Sequence, residues 1–210
     1  MSAIDRLRKI IDFAYEILTQ KLVNGRLNAV NEASFQLEFG AILRNIGELY
    51  EFKIDDKFYL EFETYLYGVK YPKSDSNKAR VDILLEYHSG TDKAKAVIEL
   101  KFFKKENHRE PNNRYDIFKD LENLEIYKEN DEINLCFLVV GTDHTHYVSQ
   151  EIYSSDTADF DCRDNHTYVQ GKTLSYKTEK PYGKDIVLRN SYVFKWNKLD
   201  KYSFLKLEVK

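Results

Sequence analysis

The chain holds little of the residues that usually announce special chemistry: two cysteines, three prolines, one methionine and one tryptophan in 210 residues. Cys136 and Cys162 are too few for a disulfide-stapled scaffold, and neither has a neighbour at metal-ligand spacing. Cys136 lies in the apolar run 133–140 and reads as a buried free thiol. No glycine-rich phosphate loop and no Ser/His/Asp arrangement is evident. No apolar run is long enough to span a bilayer, and the N-terminal residues turn amphipathic at once where a secretory leader would be continuously apolar. The net charge of −3 argues against a generic DNA-coating protein. These absences point to a cytoplasmic chain with no membrane association.

With 42% hydrophobic and 32% charged residues, the composition suits one globular domain over 1–210. Ile4, Leu7, Ile11, Ala14 and Leu18 predict a helix over 3–22. Asn31 is placed to cap a second helix, roughly 32–48. Residues 49–69, rich in Tyr and Phe, suit one or two strands, and 71–78 a polar loop. Two apolar runs around the turn signal 88–92 predict a β-hairpin over 81–102, followed by a basic loop containing Pro111. Helical spacing returns over 114–128, and 133–140 reads as a strand covered on both faces. The expectation is an α/β fold: a mixed sheet flanked by helices, with a site-bearing hairpin and then a β-α-β crossover. Its core covers about 30–140, with a β-rich C-terminal extension over about 141–210.

Charge along the chain is uneven. Lys70, Lys73, Lys78 and Arg80 lead into Asp82 against Asp75 alone. Lys101, Lys104, Lys105, Arg109 and Arg114 follow Glu99 against Glu106 and Glu110. Residues 116–132 are acidic by contrast. Basic runs on both sides of one acidic pair suit phosphate binding, with Lys73, Lys78, Arg80, Lys104, Lys105 and Arg114 as the DNA-binding candidates. His144 and His146 follow the buried strand but are read as surface-loop residues.

The hairpin carries the chemistry. Side chains alternate along a strand, so Glu99 and Lys101 share a face, with Asp82 on the partner strand able to lie near Glu99. Charges on apolar strands are expensive to desolvate unless something pairs with them, and a divalent cation suits two carboxylates. Glu-x-Lys occurs three times, at Glu51, Glu99 and Glu208, but only Glu99 has an aspartate on a preceding strand and a β-α-β continuation. On the second helix, at about 100° per residue from Phe39, Glu32 falls near 20°, Gln36 near 60° and Glu38 near −100°. Phe35, Ile42, Leu43 and Ile46 define the buried face, so Glu32 is the preferred helix acid, with Gln36 and Glu38 as secondary candidates.

Asp82, then Glu99-x-Lys101 seventeen residues on, resembles the PD-(D/E)XK nuclease superfamily over about residues 32–140. Val81 stands where that pattern often has proline, a variable position. The resemblance implies a restriction-endonuclease-like core and a Mg²⁺-dependent DNA endonuclease, with Mn²⁺ able to substitute. The metal ligands would be Asp82, Glu99, the Leu100 carbonyl and Glu32. Lys101 would be the catalytic ammonium, and the products would carry a 5′-phosphate and a 3′-hydroxyl. A type II restriction character is favoured, and cutting both strands of a duplex calls for a homodimer. The alternatives are a repair, recombination or defence nuclease selecting DNA shape, a non-catalytic nucleic-acid-binding or interaction protein, and an enzyme acting on nucleotides or small phosphodiesters.

Overall fold

The computed structural model describes residues 1–67 and 78–210. The polar loop expected over 71–78 and the candidate Lys73 therefore fall outside the described residues, Lys78 excepted. Helix α1 (Ala3–Val23) starts on Ser2, which closes a reciprocal capping pair with Asp5. Asn31 caps α2 (Glu32–Leu49) in the same way with Ser34. β1 (Asp56–Tyr67), β2 (Lys78–Ser89) and β3 (Asp92–Phe103) follow. The turn between β2 and β3 needs Gly90 at φ 63°, a conformation glycine adopts without a Cβ penalty.

α3 (Glu110–Tyr127) begins earlier than the apolar spacing predicts. Pro111, read from sequence as loop, sits in the first turn, where its missing N–H would have had no helical partner. β4 (Leu135–Thr142) is buried along its whole length. Then come α4 (His146–Ser149) and the short strands β5 (Thr167–Tyr168), β6 (Thr173–Leu174), β7 (Ile186–Val187) and β8 (Tyr192–Val193). β9 (Asn197–Leu199) and β10 (Tyr202–Val209) close the chain.

The central sheet has the order β1-β2-β3-β4-β10-β9, with β3 and β4 parallel and the other neighbours antiparallel. The protein is thus α/β, a mixed sheet flanked by helices. The C-terminal strands complete this sheet, because β10 satisfies the edge that β4 would otherwise expose. One face packs on α1 and α2 through Ala96, Ile98, Leu100, Phe137 and Val139. The other packs on α3 and the C-terminal segment through Val97, Phe103, Cys136, Leu138 and Val140. Cys136 is a buried free thiol, as its apolar surroundings predict, and Cys162 is buried too. Among the described residues no helix is long and apolar enough to cross a membrane.

β2 departs from simple alternation. Ala79 and Val81 pack on the α3 side, whereas Ile83, Leu85 and Tyr87 pack on the α1/α2 side. The change of phase falls at Asp82. There the β2–β3 pairing has ended at Ile83–Ile98, the β1–β2 pairing has no Glu63–Asp82 rung, and Glu63 takes a left-handed φ of 49°. The sheet opens where the acidic residue sits.

Candidate active site

Asp82 occupies this opening, opposite Glu99 by register but outside the ladder. Its Oδ2 accepts the Leu100 amide at 2.7 Å, so a side chain takes a role that a strand carbonyl would fill elsewhere. The Asp82 and Glu99 carboxyls lie close enough to act on each other electrostatically. Glu99 is only 6% exposed. Burial, then the neighbouring Asp82 and Asp120, push its carboxyl well above the ordinary glutamate range. Burial also raises Asp82 and Glu32, although Lys101 opposes the rise in both. The site gathers more negative charge than its buried setting favours, and all three carboxyls are raised.

Lys101 is the counterweight. Its Nζ donates to the Leu100 carbonyl at 2.9 Å and lies 2.8 Å from Asp120 Oδ2 and 3.7 Å from Glu32 Oε1. Burial alone would lower its affinity for a proton, but Asp120, Glu32, Asp82 and Glu99 together hold the ammonium charged well beyond the usual lysine range. Glu32 reaches this point because the capped start of α2 abuts the end of β3, within 3.7 Å of the Lys101 ammonium. Gln36, one turn on, donates to the Asp82 carbonyl at 2.7 Å. Glu38 is half-buried further along α2, and the ion pair from Lys101 to this helix runs to Glu32 instead.

The cleft, of about 450 Å³, is lined on its α2 and β3 side by Asn31, Glu32, Lys101, Phe102 and Phe103. Asp116 and Asp120 of α3, with Arg109 and Tyr182, close the other side. Arg109 Nη2 donates to the Tyr182 hydroxyl at 3.2 Å. None of these four is among the site residues expected from sequence. Asp120 carried a legible signal: with Ile117 as zero it falls near −60° on the helix, between Leu121 and Leu124 and the margin of their buried face.

The basic candidates distribute differently from the expectation. Arg114 is 1% exposed and donates to the Thr157 and Phe160 carbonyls, so it is a core anchor and not a DNA-facing residue. Its position on α3 turns it inward beside Tyr115, which is also buried and donates to the Lys184 carbonyl. Arg80 pairs with Glu63 at 3.0 Å and Lys104 with Asp143 at 2.7 Å. Lys78 is exposed over the Tyr65 ring, and Lys105 is exposed beyond β3. His144 bonds to Glu110, and His146 packs on Tyr153. The other two Glu-x-Lys segments have structural partners: Glu51 accepts the Phe58 amide and Glu208 pairs with Arg8.

The donors available are hard oxygens: the interacting Asp82 and Glu99 carboxyls, and the Leu100 carbonyl, which here accepts from Lys101 Nζ. Among the described residues no three carboxyl, imidazole or thiol groups stand as a ready-made metal shell. Mg²⁺ keeps several of its waters and is held by one or two carboxylates, so the pair and the carbonyl are compatible with it. The raised carboxyls fit the same chemistry, because a cation would relieve their mutual repulsion. Comparisons with protein-family models, curated proteins and solved structures find no match to this chain.

Proposed function

We propose that the protein is a metal-dependent DNA endonuclease with a restriction-endonuclease-like core. The observation that supports it most is the close pair of Asp82 and Glu99 carboxyls on adjacent strands, with the Lys101 ammonium near enough to interact with both. Asp82, Glu99 and the Leu100 carbonyl would hold Mg²⁺ or Mn²⁺, with Glu32 adjoining through Lys101. When bound, the cation supplies charge withdrawal from the phosphate and an acidified water. Lys101 stays protonated among four carboxylates, so it acts as a hydrogen-bond donor that orients the attacking water and offsets charge at the phosphorus, not as a base. Gln36 holds the Asp82 backbone, and Leu100 N–H holds its carboxylate, so both parts of that residue are fixed before substrate arrives. Cleavage of both strands would draw on two such sites in a homodimer.

A second reading, hydrolysis of nucleotides or small phosphodiesters, is favoured by the cleft's nucleotide-sized volume and by the ion-paired state of Arg80 and Lys104. One experiment addresses both. Purified protein is incubated with Mg²⁺ and either plasmid DNA or a chromogenic phosphodiester, alongside Asp82→Ala and Lys101→Ala. Discrete DNA fragments, lost in both variants, support the endonuclease. Turnover of the small diester alone supports the second reading. Cleavage that survives both substitutions removes the site.

A further inference from the structure

Asp120 has surroundings that helix stability does not explain. It is 6% exposed, in the interior of α3 and away from the helix N-terminus where a carboxylate would be favoured. Its Oδ2 is shielded from solvent and accepts no hydrogen bond from the described residues. A carboxylate desolvated without donors is costly unless a charge compensates it. The compensating charge is the Lys101 ammonium at 2.8 Å, an ion pair by distance without hydrogen-bond alignment.

Lys101 in turn is gripped from three elements: Leu100 of its own strand, Glu32 of α2 and Asp120 of α3. β3 fixes only the root of a side chain with four rotatable bonds. Without the α3 contact, the remaining attractions from Glu32, Asp82 and Glu99 would draw the ammonium onto the carboxyl pair. Those are the oxygens a cation would need.

We propose that Asp120 is the positioning residue for Lys101, holding its ammonium on the α3 side of the cleft and clear of the Asp82–Glu99 pair. The catalytic consequence rests on the nuclease reading above; the placement of the ammonium does not.

The test uses Asp120→Asn, which keeps shape and removes charge, and Asp120→Glu, which keeps charge and serves if the asparagine variant does not fold. Lys101 Nζ is followed by ¹⁵N–¹H NMR, and kcat, KM and Mn²⁺ affinity are measured on duplex DNA. Expected for Asp120→Asn are loss of the protected Lys101 ammonium signal and a kcat lower by about 10²-fold, with KM and Mn²⁺ affinity unchanged. Asp120→Glu recovers part of the rate, and Asp120→Asn adds nothing in a Lys101→Met background. An unchanged ammonium signal in a folded Asp120→Asn protein overturns the proposal. So does a fall in Mn²⁺ affinity that matches the rate loss, which would make Asp120 a ligand. If wild-type protein cleaves no DNA, the nuclease reading fails by itself and the NMR signal decides the placement.

Discussion

Gln36 Nε2 donates to the Asp82 carbonyl oxygen at 2.7 Å, reaching from α2 to the point where β2 leaves the β3 ladder and misses a rung of the β1 ladder. The amide replaces a strand partner exactly where the sheet has none to offer, so it supports the acidic residue through its backbone. Gln36→Ala should lower stability by about 1 kcal/mol, the value of a lost hydrogen bond to a partly buried carbonyl. It should also reduce any Asp82-dependent cleavage. Urea unfolding and a plasmid assay on the same preparations check both; unchanged midpoint and rate would mean that the contact contributes nothing.

Glu99 should make the metal-free protein less stable than a neutral side chain would. Its folded-state carboxyl is raised by burial and by Asp82, so the folded chain keeps a proton that the unfolded chain releases in the ordinary glutamate range. Stability is then full at pH below that range and falls as pH rises toward the folded value. Glu99→Gln should flatten this dependence and raise the melting temperature by roughly 2–4 °C in chelator, equivalent to about 1 kcal/mol for a chain of this size. Cleavage should vanish in the same variant. A drop of several degrees in chelator would show that the carboxyl is structurally required.

Much of this arrangement is legible in the chain, and the exceptions share a cause. Asn31 and the spacing of Phe35, Phe39 and Leu43 fix where α2 starts and which way Glu32 turns. Val81, Ile83 and Leu85 look like one continuous face, yet they divide between the two cores, because the phase change at Asp82 depends on Glu63 in another strand. Arg80 and Lys104 count as positive in any local sum, while their partners Glu63 and Asp143 are distant in sequence. Asp120 lies within a run of acids that reads as a solvated surface, and only its place on the helix wheel separates it from them. Periodicity reports which face a residue takes; it cannot report what waits on that face.

Asp56 should dominate the acid limb of stability. It is fully buried, with Arg6 Nη1 at 2.7 Å. The Ser89 hydroxyl and the Arg6 guanidinium hold its carboxyl well below the usual aspartate range. Because the folded value is depressed, its contribution is complete above the unfolded aspartate range, near pH 4, and is lost as pH falls toward the folded value. Asp56→Asn should therefore be less stable than wild type at neutral pH, with the gap closing on acidification. Denaturant titrations at about pH 3 and pH 7 measure the gap; a constant difference would assign the effect to packing.

Arg114 is the case where stability and nucleic-acid binding make opposite forecasts. Its Nη1 donates to the Thr157 and Phe160 carbonyls, each at 3.0 Å, and its Nη2 to the Thr157 hydroxyl at 2.7 Å. Its guanidinium also lies 3.6 Å from the centre of the Tyr153 ring. Arg114→Ala would strand two buried carbonyls and a hydroxyl, a loss of roughly 3 kcal/mol or more. Arg114→Lys should recover little of it, because a point ammonium cannot span the acceptors that the planar fork reaches together. A cation touching DNA phosphate behaves otherwise: replacing it leaves stability intact and lowers the salt slope of binding by about 1. Under conditions where Arg114→Lys remains folded, the salt slope should match wild type while the urea midpoint falls. A lower slope with an unchanged midpoint would return Arg114 to the surface and to the substrate.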